Sequence, residues 1–443
     1  MRILPRAARL GLVAPALALI VCGATPLRAQ APSSSAPAPL PPQTQDDDYT
    51  SYELLDPATA QFRILYDVTA TRAGAAFFFN AIRKGSVASD ERVIALASGE
   101  PLRFEVVSGA DARRDGHPRA DLDTEYIKVW LPRPVPEGGE ARLRIDKTYK
   151  DAASYRREGD TIVFSRSLGI KRNKVVLPPG YEVTGCNTPA QVRVEADGRL
   201  SVSFVNLNPN ATDLVVRARP MPAGAAPFAA PVAASGAASR VATDEPAASL
   251  ARSAALPISE RAFQDREIVY HLQPPETNAF DISHDYTETR AGVGQYVNVV
   301  RAGSRVSNPS ATNLDTGEAL RVRTLVGSAI AEAKVDPGQP ITPALEVVVI
   351  DFPPVTPPRT TRLRIRETYT DPARYGVVDG VLVWHRGFGR PRNAVVLPAG
   401  WALTASSVPA MVVLTGDGRV RLDFVNPRTD EIDVLIRASR RSR

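Results

Sequence analysis

The chain has 443 residues and a formal net charge of +6 at pH 7. Residues 1–29 hold four arginines and no acid, so the remaining chain carries a net charge of +2. A near-neutral protein lacks the broad cationic surface that a polyanion requires, and we therefore expect no nucleic-acid partner.

Residues 1–29 predict a secretory signal peptide. Arginines precede an apolar run from Leu10 to Val21, and the small residue Ala29 marks a cleavage position. The run is shorter than the ~20 apolar residues of a membrane-spanning helix, and no later segment approaches that length. Lipidation of Cys22 is disfavoured because Val21, just before it, is not small. We expect an exported protein, periplasmic or extracellular, with no transmembrane segment and no lipid anchor.

Two segments of biased composition divide the rest of the chain. Residues 30–48 are rich in Pro, Ser, Ala and Gln and predict a disordered leader. Residues 220–256 are rich in Ala and Pro and predict an extended linker. Residues 49–219 and 257–443 are then the two folded regions, and the second ends in a short basic tail.

These two regions are copies of one another. Tyr66–Gly74 returns as His284–Gly292, at an offset of 218 residues, and Arg172–Pro178 returns as Arg392–Pro398, at an offset of 220. Such a period is far too long for a solenoid repeat, so each copy is a whole domain.

Within each copy, apolar and polar residues alternate with the period of two that is typical of β-strands. Residues 191–195 and 199–204 alternate on either side of Gly198, and the second copy repeats this pattern around Gly418. Both patterns predict hairpins with glycine in the turn. No stretch shows a sustained helical stripe. We predict an all-β fold of two tandem homologous antiparallel β-sandwich (Ig-like) domains joined by the Ala/Pro-rich linker.

Cysteine and histidine usage predicts neither a disulfide nor a metal site. Signal cleavage leaves Cys186 as the remaining cysteine, and its counterpart in the second copy is Ser406. We interpret Cys186 as a small, half-buried strand residue. The four histidines are not shared between the copies, and none pairs with another at ligand spacing, so we expect no metal and no cofactor.

One polar pattern kept by both copies places a carboxylate and an arginine beside the end of a strand. These are Asp67 and Arg72 in the first copy and Asp285 and Arg290 in the second. They predict either a binding cleft or structural contacts, in which each side chain satisfies backbone groups or pairs with a neighbouring strand.

A second shared pattern places two arginines and an asparagine around a loop that contains glycine. It predicts either an anion site, since guanidinium groups bind carboxylate or phosphate, or structural arginines that bond loop carbonyls. Its residues are Arg166, Arg172 and Asn173 in the first copy, and Arg386, Arg392 and Asn393 in the second.

Aromatic residues are candidates either for a sugar-binding platform or for core positions, and they are Trp130, Trp384, Trp401 and Phe77–Phe79. Phe77, Phe78 and Phe79 are consecutive, and neighbours in a strand point in opposite directions, so at least one ring does not face the main core. Trp384 and Trp401 stand where the first copy has Phe164 and Tyr181, which predicts core positions that accept any ring.

Tyr126–Glu140, followed by the alternating residues Arg142–Ile145, resembles the amino-terminal β-sandwich of M1-type zinc aminopeptidases. The resemblance covers one strand-loop-strand unit, and the zinc-binding helix of that family is missing. We carry over neither activity nor site residues, and we assign no family on this basis.

Together these patterns favour a non-catalytic binding or structural module of the cell envelope or extracellular space. Its expected partner is a protein or glycan surface, and two linked copies would gain avidity for an extended target. One alternative is a hydrolase with an unfamiliar site near Asp67 and Arg72 or near Asp285 and Arg290. Another is an accessory domain pair for a separate envelope enzyme.

Overall fold

The computed structural model describes residues 43, 49–222, 228, 266–357, 359–428 and 430–441. All of them belong to one compact unit, Pro42–Arg443. The predicted signal peptide lies outside the described residues, as do most of the predicted leader and linker. No described helix is long and apolar enough to cross a membrane.

The described part of the first copy contains 13 strands, one short α-helix, α1 (Gly109–Arg114), and one 3-10 helix at Pro57–Thr59. The strands are β1 (Tyr49–Leu54), β2 (Gln61–Ala70), β3 (Phe77–Ala81), β4 (Val87–Ala95), β5 (Phe104–Ser108), β6 (Glu125–Trp130), β7 (Ala141–Lys150), β8 (Tyr155–Glu158), β9 (Thr161–Leu168), β10 (Arg172–Val176), β11 (Tyr181–Val194), β12 (Leu200–Val205) and β13 (Thr212–Pro220).

The described part of the second copy contains 14 strands, because the equivalent of β11 is split in two. It also contains one short α-helix, α2 (Ser328–Glu332), and one 3-10 helix at Pro275–Thr277. The strands are β14 (Arg266–Leu272), β15 (Ala279–Glu288), β16 (Gln295–Val299), β17 (Arg305–Asn313), β18 (Arg321–Val326), β19 (Glu346–Asp351), β20 (Thr361–Thr370), β21 (Tyr375–Val378), β22 (Val381–Phe388), β23 (Arg392–Val396), β24 (Trp401–Ser406), β25 (Ala410–Leu414), β26 (Val420–Val425) and β27 (Ile432–Arg440).

The predicted all-β class is confirmed, with 56% strand, 5% helix and several sheets. In the first copy, seven strands pair in the order β4-β7-β2-β1-β10-β12-β11. A three-stranded sheet has the order β3-β6-β5. A further set of strands has the order β8-β9-β13-β11, in which β13 pairs with the first half of β11. The second copy repeats this arrangement. The pairs β1–β10 and β14–β23 are parallel, and the other strand pairs given for the described residues are antiparallel.

Alternation along the strands places one side of each in the core. On β7, Leu143, Ile145, Lys147 and Tyr149 are buried, whereas Arg144, Asp146 and Thr148 between them face outward. Residues of the three-stranded sheet join the same core cluster as Leu143 and Ile145. The three-stranded sheet therefore packs on the seven-stranded sheet, and position 147 lies on the inner side of β7.

The three consecutive phenylalanines divide between two cores, as the alternation predicts. Phe78 belongs to the main cluster, whereas Phe79 packs on the other side of the small sheet with Ala112 of α1 and Tyr126. Phe77 shares that outer side and lies partly buried. Trp384 and Trp401 are buried, which confirms that both are core positions.

The two copies are joined directly through β11 and β25. Cys186 lies opposite Val412, and Ala190 lies opposite Ala410. In the reciprocal contact, the Val192 N–H donates to Ser406 Oγ at 3.4 Å. Positions 186, 190 and 192 are the equivalents of 406, 410 and 412, so each copy offers the other the same surface. The contact is isologous, as in a two-fold symmetric dimer.

A buried carboxylate holds this junction at one side. Glu182 of the first copy accepts Arg219 Nε at 2.6 Å and Arg441 Nε, from the second copy, at 3.0 Å. Arg219 also reaches the carbonyl of Gly418 at 3.5 Å. The copies are therefore linked by charge-assisted bonds as well as by strand pairing.

Candidate functional site

Asp67 and Asp285 occupy equivalent positions in cross-strand ion pairs. Asp67 lies opposite Arg144 and accepts its Nε at 2.6 Å and its Nη2 at 2.8 Å. Asp285 lies opposite Arg364 and accepts two bonds of 2.7 Å. Both carboxylates are thus engaged by bidentate guanidinium pairs that connect neighbouring strands.

Arg72 and Arg290, the arginines of this pattern, do not pair with Asp67 and Asp285. Arg72 donates to the carbonyl of Gly116 at 3.0 Å. Arg290 donates to Glu288, whose carboxylate also accepts the N–H groups of Thr289 and Arg290 and the hydroxyl of Tyr286. The Arg290 guanidinium is the main cause that lowers the pKa of Glu288 to about 2. The first copy has Ala70 at position 288, so this cluster belongs to the second copy.

The second shared pattern does not converge on one point. Arg166 is buried and donates to Asp151 Oδ2 and Ser154 Oγ, both at 3.2 Å. Its guanidinium carbon lies 5.5 Å from the ring centres of Phe62 and Tyr149. Arg386 stands in the equivalent aromatic setting, 5.3 Å from the ring of Phe280. Both guanidinium groups are therefore buried beside aromatic rings of the core and do not lie at the surface.

Arg172 and Asn173 point in opposite directions, as neighbours in a strand do. Arg172 and its equivalent Arg392 are exposed. Asn173 is buried and donates to the carbonyl of Ile170 at 2.8 Å, and Asn393 donates in the same way to Arg390. The asparagines therefore bond loop carbonyls, a structural role that the sequence predicted for the arginines instead.

A shallow groove recurs at the same place in both copies. Groove 1, in the first copy, has a volume of 650 Å³ between the end of β1, the loop after β10 and the β11–β12 turn. Groove 2, at the equivalent elements of the second copy, has a volume of 560 Å³. The lining residues of groove 1 include Leu55, Asp56, Pro178, Tyr181, Asp197 and Arg199, and those of groove 2 include Gln273, Pro398, Trp401, Asp417, Arg419 and Arg440.

The same ion pair forms the rim of each groove. Arg199 Nε donates to Asp197 Oδ2 at 2.6 Å, and Arg419 Nε donates to Asp417 Oδ2 at 2.7 Å. Both pairs flank the turn glycine, so the hairpin turn carries the charged groups to the groove. The sequence pattern predicted this turn, but it gave no reason to assign the arginine after it to a binding site.

The floor of each groove carries an aromatic ring. Tyr181 is partly exposed in groove 1. Trp401 is buried in groove 2, where the guanidinium carbon of Arg440 lies 4.9 Å above its ring and the same arginine pairs with Glu276. Burial, helped by the charges of Arg419 and Arg421, lowers the pKa of His271 on the same rim. The two grooves therefore share a frame but present different surfaces.

No group of three or more His, Cys, Asp or Glu side chains among the described residues could hold a metal ion. Cys186 is fully buried at the junction of the copies rather than half-buried. Burial raises the pKa of its thiol to about 11, so the thiolate is scarce at neutral pH.

Comparisons with known proteins leave the family open. No protein-family model matches the chain, and no curated protein matches it. Solved structures that align with part of it include a mutant two-domain M1 zinc metallopeptidase bound to L-tryptophan, with 13% identity and a TM-score of 0.27 over 39% of this chain and 42% of that one. A mutant M1 zinc metallopeptidase from Deinococcus radiodurans aligns with 12% identity and a TM-score of 0.28 over 39% of this chain and 41% of that one. The chain thus spans less than half of these structures, and TM-scores this low do not establish a shared fold.

Proposed function

We propose that this protein is an exported, non-catalytic binding module of the cell envelope or extracellular space. Its two copies, as tandem Ig-like sandwich domains, each hold a segment of a protein or glycan surface. The observation that carries this proposal is the recurrence of one groove at equivalent positions of both copies, with the Asp–Arg pair kept at its rim.

The chemistry of the grooves suits recognition of a polar, extended ligand. Each groove combines an aromatic ring and a proline from the loop after β10 or β23 with an arginine, Arg199 or Arg419. The arginine donates its Nε–H to the neighbouring aspartate, and its guanidinium has further N–H groups that can bind a ligand. Because the copies are joined through β11 and β25 and through Glu182, the two grooves belong to one body. A ligand that reached both would bind with increased avidity.

The hydrolase alternative gains no support from its proposed carboxylates. Asp67 and Asp285 each accept two bonds from an arginine on the adjacent strand, which engages the oxygens that a nucleophile or general base would use. The role of an accessory pair for a separate envelope enzyme is compatible with the grooves, with that enzyme as the bound partner.

The test is a binding screen on a glycan array and a displayed peptide library with the full chain and an Arg199→Ala/Arg419→Ala double variant. We expect the double variant to lose at least tenfold in affinity, or about 1.4 kcal/mol. Arg156→Ala/Arg428→Ala is the matched control, because each of these arginines also pairs with an acid two residues away. Equal affinity of the groove variant and the wild type for every probe would contradict the proposal.

A further inference from the structure

A lysine and an asparagine meet between the two sheets of the first copy. Lys147 lies on the inner side of β7 and is 3% exposed. Its Nζ donates to Oδ1 of Asn80, on β3 of the three-stranded sheet, across 67 residues of chain. The Nζ also lies 4.7 Å from the ring centre of Tyr149. This contact places the buried amine beside the carboxamide carbon of Asn80, which is itself partly buried.

The surroundings favour the neutral, nucleophilic form of this amine. Burial is the main cause that lowers the pKa of Lys147 to about 7, and the nearby positive charge of Arg166 acts in the same direction. The neutral form of the Lys147 amine is therefore far more accessible near neutral pH than that of an exposed lysine. A desolvated, neutral lysine is the form that attacks carbonyl carbons.

A carboxylate faces the same position from the neighbouring strand. Ser89 of β4 pairs with Thr148, and Arg92 pairs with Asp146, with a bulge between them. Glu91 stands in this bulge opposite Lys147, is partly buried, and acts on it electrostatically. Bulges of this kind redirect a side chain toward a particular site.

We propose that Lys147 and Asn80 form an intramolecular isopeptide bond. Lys147 Nζ attacks Asn80 Cγ, a C–N bond forms, and the Cγ–Nδ2 bond breaks. Glu91 takes a proton from the attacking nitrogen and delivers it to the departing nitrogen, which leaves as ammonia. The reaction is an amide exchange without change of oxidation state, and it needs no cofactor.

The second copy contains a natural control. Glu367 occupies the position of Lys147, and Asn298 occupies that of Asn80. Asn298 Nδ2 donates to Glu367 Oε2 at 2.7 Å, so the sheets are held by a hydrogen bond. A carboxylate at this position supplies no amine, and the cross-link is therefore confined to the first copy.

The bond would tie the edge strand β3 to the seven-stranded sheet. It would close a loop of 67 residues and restrict the unfolded chain, as a disulfide does in other exported proteins. The described residues contain one cysteine, Cys186, which is free.

The test is the intact mass of the full chain, followed by tryptic mapping. We expect a deficit equal to one ammonia molecule and a linked fragment that contains residues 73–83 and 145–150, since acylated Lys147 resists trypsin. Lys147→Met should restore the full mass and the separate fragment 73–83. Glu91→Gln should retain the linked fragment in a smaller fraction of molecules.

The wild-type measurement decides the matter whether or not the variants fold. A full wild-type mass would overturn the proposal. So would an ammonia deficit that maps elsewhere, for example to cyclisation of Gln30 at the mature terminus. Complete linkage in Glu91→Gln would overturn the assignment of proton transfer to Glu91.

Discussion

Position 147 of the first copy holds a basic residue and the equivalent position 367 of the second holds an acidic one, and both side chains are buried between the sheets. The partner is asparagine in both copies. Its side-chain amide can bond to a lysine or to a glutamate, because the amide oxygen accepts hydrogen bonds and the amide nitrogen donates them. Asn80 presents Oδ1 to the amine of Lys147, whereas Asn298 presents Nδ2 to the carboxylate of Glu367. Each copy therefore keeps a hydrogen-bonded polar pair between its sheets, but the residue paired with asparagine is basic in one copy and acidic in the other.

Glu367→Gln is expected to stabilise the protein above acidic pH. Burial raises the pKa of the Glu367 carboxyl above its ordinary value of 4.5. Below the unfolded-state pKa the carboxyl is neutral in both states and costs nothing extra. As pH rises past 4.5, the unfolded state ionises first, and stability falls until the raised folded-state pKa is passed. Glutamine keeps a bond to Asn298 and does not ionise.

Chemical denaturation of wild type and Glu367→Gln at several pH values measures this difference. We expect the variant to be more stable by about 1 kcal/mol at pH 7, and the gap to close near pH 4. A gap that is constant across this pH range would show that ionisation of Glu367 is not its cause.

At the scale of the elements, the hairpin turns are set by single backbone positions. Gly198 and Gly418 have φ of 83° and 80°, a region that other residues rarely adopt. Each turn closes with a backbone bond from its glycine, to Glu195 in the first copy and to Thr415 in the second. The same turns carry the Asp–Arg pairs of the grooves, so backbone strain there also affects the candidate site.

Gly418→Val is expected to lower the free energy of unfolding by about 1–3 kcal/mol. Apart from its chain neighbours, no atom lies within 4 Å of a Cβ added at Gly418, so the expected cost arises from the backbone conformation. Gly416→Val is the control, because Gly416 is equally open and does not have a positive φ. Thermal unfolding of the two variants compares them directly, and equal midpoints would refute the backbone explanation.

Local sequence patterns predict these elements well and their assembly poorly. Period-two alternation predicts β7 and the Gly198 and Gly418 hairpins because burial alternates with the pleat and turns need glycine. The parallel pairing of β1 with β10 joins distant segments and leaves no local pattern. The contact of Asn80 with Lys147 and the two grooves likewise bring together segments that lie far apart in the sequence.

The candidate positions divide in the same way. The sequence shows that Asp67, Asn173 and Arg166 are kept in both copies, but not whether their partners are ligands or neighbouring strands. The structure supplies those partners as Arg144, a loop carbonyl and Asp151 with Ser154. Residues kept by both copies therefore include many that maintain the fold.

At the scale of the whole molecule, the junction between the copies combines apolar and charged contacts. Ala190 and Ala410 are fully buried where β11 meets β25. Glu182 is 1% exposed and engages an arginine from each copy. A buried carboxylate with two guanidinium partners is strongly held, since removal of either partner would leave its charge less compensated.

Cleavage between the copies should therefore leave them associated. With a protease site inserted at residue 240 and cut, we expect the halves to co-elute on size-exclusion chromatography with the mass of the intact chain. Ala410→Glu places a charge in the buried contact opposite Ala190, and it should cause the cut halves to separate. Met411→Glu is the matched control, because its side chain is on the exposed side of β25. If the cut wild-type halves eluted separately, the paired strands would not be a stable interface. If the Met411→Glu halves separated like those of Ala410→Glu, the effect would reflect added charge on β25 rather than the buried contact.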